Sequence, residues 1–255
     1  MTAPVPDLTG FDLILANSSG GKDSQAMLTH LVDLADQAGA RARLVVVHAD
    51  LGRVEWDGTR DLAAAQAAHY RLPFHVVRRD RGDLLEQIEA RGMFPSSTAR
   101  YCTSDQKTAQ VAKLMTRLAA DHRDALAEAG EPARPTRILN CLGIRAAESP
   151  ARAKKTPLGP DSASNGRRTV TRWLPIFNWT TDRVWDTIRA SGVPYHPAYD
   201  AGMSRLSCVF CVLASETDLR TAAAHNPDLL ATYLEVEARI GHTFRPGRSL
   251  ADIVR

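Results

Sequence analysis

The sequence predicts an α/β protein: a parallel, Rossmann-like sheet flanked by helices, with a helical, cysteine-bearing subregion at its C-terminal end. Three observations lead there. Short apolar runs alternate with stretches of helical spacing, an order that implies right-handed crossovers and a parallel sheet. A glycine-serine turn, "SSGGKDS" at residues 18–24, follows the first apolar run directly. Two later strand ends run into the turns "HADLGR" (48–53) and "GIRAAES" (143–149), and the carboxyl ends of strands are where open α/β sheets bind ligands.

The elements follow in order. Residues 12–17 read as a buried strand. Apolar positions 27, 28, 31, 32 and 34 predict a helix from about Asp23 to Gln37, ended by Gly39. Arg43 to Ala49, "RLVVVHA", is continuous and β-branched, as buried parallel strands are. Asp57 to Tyr70 has helical spacing, with Asp57 a candidate cap. A short strand is expected over Phe74–Val77, a helix over Asp83–Arg91, a long helix from Thr103 to about Glu128, and a strand over Ile138–Leu142. Residues 150–169, "PARAKKTPLGPDSASNGRRT", are rich in Pro, Gly and Ser and carry Arg152, Lys154, Lys155, Arg167 and Arg168; they read as a mobile basic loop. Helices are expected again over 180–191 and 215–241, with an irregular cysteine-bearing stretch from about 195 to 215. The domain division predicted is an α/β nucleotide-binding domain over 1–178 and a helical segment over 179–255 packed on it.

Composition narrows the function classes. The chain has 255 residues, 44% hydrophobic and 24% charged, enough for one sizeable α/β domain. No apolar run approaches the ~18 residues of a membrane helix. The opening "MTAPVPDLTG" has no basic start and no apolar stretch, so no secretory signal and a cytoplasmic location are expected. A net charge of +3 permits an anionic partner without demanding one. Only five of the 32 basic residues are lysines, which makes Lys22, inside the glycine turn, notable. Four cysteines, at 102, 141, 208 and 211, suggest metal binding or catalysis rather than disulfides in that compartment.

The 18–24 turn is not a Walker loop, which needs four residues between its first glycine and a Gly-Lys-Ser/Thr; here the glycines are adjacent and Asp23 follows Lys22. It is still suited to phosphate. Gly20 and Gly21 allow positive φ and close backbone approach. Their amides and those of the following helical turn can make a concave anion site, to which Ser19 and Ser24 add hydroxyls. Asp23 is the odd member, because a carboxylate beside phosphates repels them unless a cation intervenes. It is expected either to cap the helix or to help order the Mg²⁺ that accompanies ATP.

The pattern S-G-G-x-D-S after a first strand resembles the PP-loop ATP pyrophosphatases, or adenine nucleotide α-hydrolases. Further stretches look like their phosphoadenosine-phosphosulfate (PAPS) reductase-like branch: "HADLGRVEWDGT" (48–59), "RYCTSDQK" (100–107), "GIRAAESPAR" (143–152), "WLPIFNWTTDRVW" (173–185) and "HPAYDAGMSRLSCVFC" (196–211). The resemblance implies that Ser19, Gly20, Gly21, Lys22, Asp23 and Ser24 hold nucleotide phosphates, that Asp50 lies near the adenosine, and that Gly143, Arg145, Glu148 and Arg152 lie over the phosphates. It also implies that ATP-using members cleave between the α- and β-phosphates, adenylate an acceptor and release pyrophosphate. Arginine suits Arg145 and Arg152 for that role, since it stays charged and binds oxyanions bidentately. Lys22, Asp23, Arg145 and Arg152 are the candidate catalytic group.

Cys208-Val-Phe-Cys211 offers two soft ligands at a chelating spacing. Cys102 aligns with the place where iron–sulfur members of the branch carry cysteines before a lysine, although Tyr101 stands where some have a second. Three thiolates, Cys102, Cys208 and Cys211, are the expected metal ligands of a [4Fe–4S] cluster with one open iron, with zinc as the alternative and Cys141 expected to pack in the sheet. The function expected is an ATP pyrophosphatase activating an acceptor for iron–sulfur-dependent sulfur transfer. A sulfur donor such as a cysteine desulfurase is the expected partner, and DNA backbone or tRNA, delivered by partner proteins, the candidate acceptor. No membrane association is expected. Two alternatives stay open: a PAPS or adenosine-phosphosulfate reductase lacking its own C-terminal cysteine, since none follows Cys211, and a non-catalytic nucleotide- and metal-binding regulatory subunit.

Overall fold

A computed structural model describes residues 4–255. Its centre is a six-stranded sheet in the order β3-β2-β1-β4-β6-β5, formed by β1 (Leu13–Ser18), β2 (Leu44–Asp50), β3 (Phe74–Arg78), β4 (Thr136–Leu142), β5 (Leu158–Pro160) and β6 (Arg168–Trp173). β1 runs parallel to β2 and β4, and β4 parallel to β6; β5 runs antiparallel to β6. From β1 the chain steps outward through β2 to β3, then returns to the other side of β1 with β4. The reversal falls between β1 and β4, and the loops leaving those two strands flank it, which is the ligand position such sheets favour.

The helices are α1 (Lys22–Gln37), α2 (Thr59–His69), α3 (Leu84–Arg91), a turn α4 (Tyr101–Thr103), α5 (Ala109–Glu128), α6 (Pro150–Ala153), α7 (Thr181–Ser191), α8 (Glu216–His225), α9 (Pro227–Ile240) and α10 (Leu250–Val254). α3 starts at Asp83, whose carboxylate and Glu86 form a reciprocal capping box. α2 begins at Thr59, so Asp57 lies ahead of the cap position expected for it. The long helix foreseen from Thr103 is interrupted by a π turn over Ser104–Thr108 before α5. The helix foreseen over 215–241 is two helices, broken at Asn226-Pro227 because proline cannot continue α8 but suits the first position of α9.

The largest correction concerns residues 150–169. They form α6 and the strand β5, while β6, starting at Arg168, extends the sheet beside β4. Arg168 is buried; its Nε donates to the Ala163 carbonyl at 2.7 Å and its Nη1 to Thr116 at 2.5 Å. It is a structural residue rather than part of a solvated basic loop.

The chain divides into two compact units, each assembled from three stretches: the residues up to His48 with Arg60–Val76 and Val111–Tyr195, and Ala49–Thr59 with Val77–Gln110 and His196–Arg255. Residues 179–195, which carry α7, belong to the first unit. In that unit Ile14, Ala16, Leu139, Cys141 and Trp173 from the sheet pack against α1 and α7. The core of the second unit is aromatic: Tyr233 lies 5.1 Å from Phe210 between ring centroids and 6.1 Å from Phe94, which also meets Phe244 at 5.5 Å. Among the described residues no helix is long and apolar enough to cross a membrane.

Candidate nucleotide-phosphate site and thiol cluster

β1 delivers the chain to Ser18 and α1 starts at Lys22, leaving Ser19-Gly20-Gly21 to turn between them. Gly20 has φ +69°, a conformation that favours glycine. Gly21 occupies the N-cap position of α1 with no side-chain cap, so the helix opens on backbone amides. The serines brace the turn: Ser24 Oγ donates to the Gly21 carbonyl at 2.9 Å and accepts from the Ser19 amide at 3.1 Å, and the Ser19 and Ser24 hydroxyls are 3.2 Å apart. His48, fully buried at the end of β2, places Nδ1 3.0 Å from the Ser18 carbonyl.

The loop after β4 is pressed onto this turn. A Cβ on Gly143 would stand 2.9 Å from the backbone of Asp23 and Ser24, so only glycine fits without displacement. Two residues on, Arg145 is 4% exposed and its Nε donates to Asp23 Oδ1 at 2.6 Å. Its Nη1 reaches the Trp179 carbonyl and Thr181 Oγ1, both at 3.3 Å. Lys22, also 4% exposed, lies 3.4 Å from Asp23 Oδ2. Glu148 accepts from the Arg145 amide at 2.9 Å and is ion-paired with Arg152, whose side chain keeps 28% of its exposure. The structure therefore brings together Ser19 to Ser24, Gly143, Arg145, Glu148 and Arg152 in one unit.

Asp23 departs from both expected roles. It is the second residue of α1, not its cap, and both its oxygens face protein cations. Those oxygens, engaged by Arg145 and Lys22, do not fit a Mg²⁺ ligand in this arrangement. Asp50 belongs to the second unit and its carboxylate accepts from the Gly52 amide at 2.7 Å, closing its own turn.

Cys102, Cys208 and Cys211 all belong to the second unit, half-buried against its apolar core. A bridge between Glu55 and Cys208, and the Val209 amide donating to the Val54 carbonyl at 2.8 Å, fix the Cys-Val-Phe-Cys segment. Burial pushes the Cys208 thiol up to about 12, against the lowering influence of Lys107; the neighbouring Cys211, Glu55 and Cys102 add to the rise. Cys141 is fully buried in β4 and burial alone raises its thiol strongly. No group of three His, Cys, Asp or Glu placed to hold a metal occurs among the described residues. The three thiols expected as ligands share one unit, and in the metal-free chain burial favours the protonated form of Cys208.

Sequence reasoning missed the polar side chains of β6, because its first two residues lay in the stretch read as a loop and the rest was assigned to no element. It placed Arg145 over the phosphates without the contacts that hold it, a buried bridge from the loop after β4 to Asp23.

A parallel sheet whose reversal point is flanked by a glycine turn and an arginine-bearing loop defines an open α/β protein with a candidate ligand site at that point. More narrowly, residues 14–214 match the phosphoadenosine phosphosulfate reductase domain, and the chain belongs to that family. Among relatives, an uncharacterized 37.8 kDa protein of Escherichia phage 186 is 30% identical over 174 residues, covering 68% of this chain and 48% of that protein. The uncharacterized protein MJ0066 of Methanocaldococcus jannaschii is 25% identical over 199 residues, 78% of this chain and 36% of that one. The chain thus spans about half or less of the length of these relatives. Among solved structures, the PAPS reductase of Candida auris in a phosphate complex is similar with a TM-score of 0.47 and 16% identity, over 79% of this chain and 83% of that one.

Proposed function

We propose that this chain is an ATP pyrophosphatase that activates an acceptor by adenylation. ATP's phosphates lie on the amides of residues 19–24 and the start of α1. An acceptor oxygen attacks the α-phosphorus, the bond from that phosphorus to the α,β-bridging oxygen breaks, and pyrophosphate leaves carrying the charge. Lys22 neutralises that charge from inside the loop, and Arg152, the more exposed of the two arginines, meets it from outside. Positioning and charge neutralisation are the main devices of such transfers. The observation that supports the reading best is Gly143 seated on the Asp23–Ser24 backbone, with Arg145 locked to Asp23: two loops make one platform at the sheet's reversal point.

The sulfur-transfer extension of this reading, with a desulfurase as donor and DNA or tRNA as acceptor, would place a cluster on Cys102, Cys208 and Cys211, which share the second unit, and no step is assigned to it. Reduction of a sulfonucleotide is the second reading, favoured by the family's name. The product pattern decides. ATP labelled at the α-phosphate should yield AMP and pyrophosphate in the presence of Mg²⁺. ADP and phosphate, or no turnover with any acceptor, would overturn the proposal, and sulfite release from PAPS or adenosine phosphosulfate with an added thiol would establish the second reading.

A further inference from the structure

Asn17, Asn140 and Arg172 alternate along β1, β4 and β6 with Ala16, Cys141 and Trp173, which face α1 and α7. Their side chains therefore share the opposite face of the sheet. Asn17 Nδ2 donates to Asn140 Oδ1 at 2.7 Å and to the Cys141 carbonyl at 2.9 Å; Asn140 Nδ2 donates to Asp161 Oδ2 at 2.9 Å. The other Asp161 oxygen accepts from the Ala163 amide at 2.9 Å. Arg172, register partner of Asn140, completes the row. The row starts one residue before Ser18, where the glycine turn leaves β1, and lies wholly in the first unit.

The row keeps donors beyond the hydrogen bonds it makes. Arg172 is half-buried, and its Nε is shielded from water with no hydrogen-bond partner among the described residues. A guanidinium nitrogen left in that state is disfavoured unless an acceptor comes to it. One N–H of the Asn140 amide also remains. On β5, Gly159 is the register partner of Arg172, and a Cβ added there would meet nothing within 4 Å, so space lies open over Gly159 on the face that carries the Arg172 side chain. Exposed Lys154 and Lys155 stand just before β5, whose Leu158 pairs with Trp173, at the Arg172 end of β6.

We propose that Arg172 and Asn140, with the space over Gly159, form an oxyanion subsite separate from the glycine turn, and that it takes a phosphate group of the acceptor. This rests on the adenylation reading above for the word acceptor, though not for the existence of the subsite. Arginine's planar fork suits a tetrahedral oxyanion, and the neighbouring lysines supply long-range attraction.

The test is calorimetric titration of inorganic phosphate into protein saturated with the α,β-methylene analogue of ATP, which occupies the glycine turn. Wild type should bind phosphate; Arg172→Gln should weaken that binding at least tenfold with analogue affinity unchanged, and Arg189→Gln, on the exposed face of α7, should change neither. Gly159→Glu, which fills the open space with a carboxylate, should repeat the Arg172→Gln result and guards against a folding defect in that variant. Competition by dimethyl phosphate would assign the group to a phosphodiester and its failure to a terminal phosphate, the subsite standing in both cases. Phosphate binding that is absent, or equal in wild type and both subsite variants, overturns the proposal. If the analogue does not bind but Arg172→Gln still weakens phosphate, the nucleotide reading fails and the subsite stands.

Discussion

Asp23 and Arg145 should behave as one energetic unit, and a double-mutant cycle reads it. Arg145 is 4% exposed and the Asp23 side chain 17%, with Nε and Oδ1 2.6 Å apart. Removing one partner of a buried ion pair costs about 3–5 kcal/mol, because the other charge stays desolvated. Two features reduce that here. Asp23 keeps some water, and Lys22 remains 3.4 Å from its other oxygen. Arg145→Ala should therefore cost about 2–3 kcal/mol, part of it from the lost bonds to the Trp179 carbonyl and Thr181. Asp23→Ala should cost a similar amount, about 2–3 kcal/mol, since it leaves two buried cations side by side. The double variant should lose less than the sum, with a coupling of about 1–2 kcal/mol. Urea unfolding midpoints at constant m-value measure each corner. If the single losses add to within about 0.5 kcal/mol, the two side chains are independent and the clamp is wrong.

Three further outcomes follow from the same geometry. Gly143→Ala drives a methyl into the Asp23–Ser24 backbone at 2.9 Å and should cost about 1–3 kcal/mol, with weakened ATP-analogue binding, whereas Gly166→Ala, with nothing within 4 Å, should be silent in both assays. In alkylation of the folded protein at pH 8, Cys141 should stay unlabelled until urea is added. Cys208, raised from 9.0 to about 12, should react roughly a thousandfold more slowly than a free thiol; protection lifted by a chelator, with stoichiometric iron or zinc by elemental analysis, would instead show metal ligation. His30, His75 and His196 are all held below 6.5, chiefly by burial, with Arg183 adding to it at His30 and Arg117 at His75. Each binds its proton more readily unfolded, so their stabilisation is complete above about 6.5 and is lost as pH falls below it. The unfolding midpoint should drop between pH 7.5 and 5.5, and a His196→Gln variant should show a shallower drop.

The first half of the sheet was legible because its signals are local. A β-branched run, a glycine turn and a helical period lie side by side from residue 12 to 37, and the structure differs from that reading by a residue at the ends. β6 was not legible because its sequence, "RTVTRW", has two arginines and sits behind a Pro/Gly/Ser stretch that reads as loop. What makes it a strand is non-local: the Arg168 fork is satisfied by Thr116 on α5 and the Ala163 carbonyl, partners no window of sequence reveals. The break at Asn226-Pro227 was visible in the proline and was passed over because the apolar spacing continues through it. In the glycine turn the residues that make the platform were all nameable from the motif, but not what Arg145 does there. Burial decides that, and burial comes from α7 and the loop before it, which supply Thr181 and the Trp179 carbonyl.

The carboxylate inside the proposed phosphate-binding turn has a physical reason in this arrangement. Lys22 and Arg145 are both almost fully buried and within reach of the same group. Without Asp23 they would repel each other in a medium that screens poorly, and neither would stay where a triphosphate needs it. With Asp23 between them the trio carries one net positive charge, held in fixed geometry before any ligand arrives. In the proposed reaction, preorganised charge of that kind is worth more than mobile charge, because no side chain has to reorganise as the leaving group gains its electrons. Asp23→Asn separates this from a direct role in the chemistry. It keeps the shape and one hydrogen-bond acceptor for Arg145 but removes the charge that holds the two cations together. The expected result is a folded protein whose stability falls and recovers in part when Lys22→Met removes the repulsion. If the double variant is no more stable than Asp23→Asn alone in urea unfolding, mutual repulsion of the cations is not what Asp23 relieves.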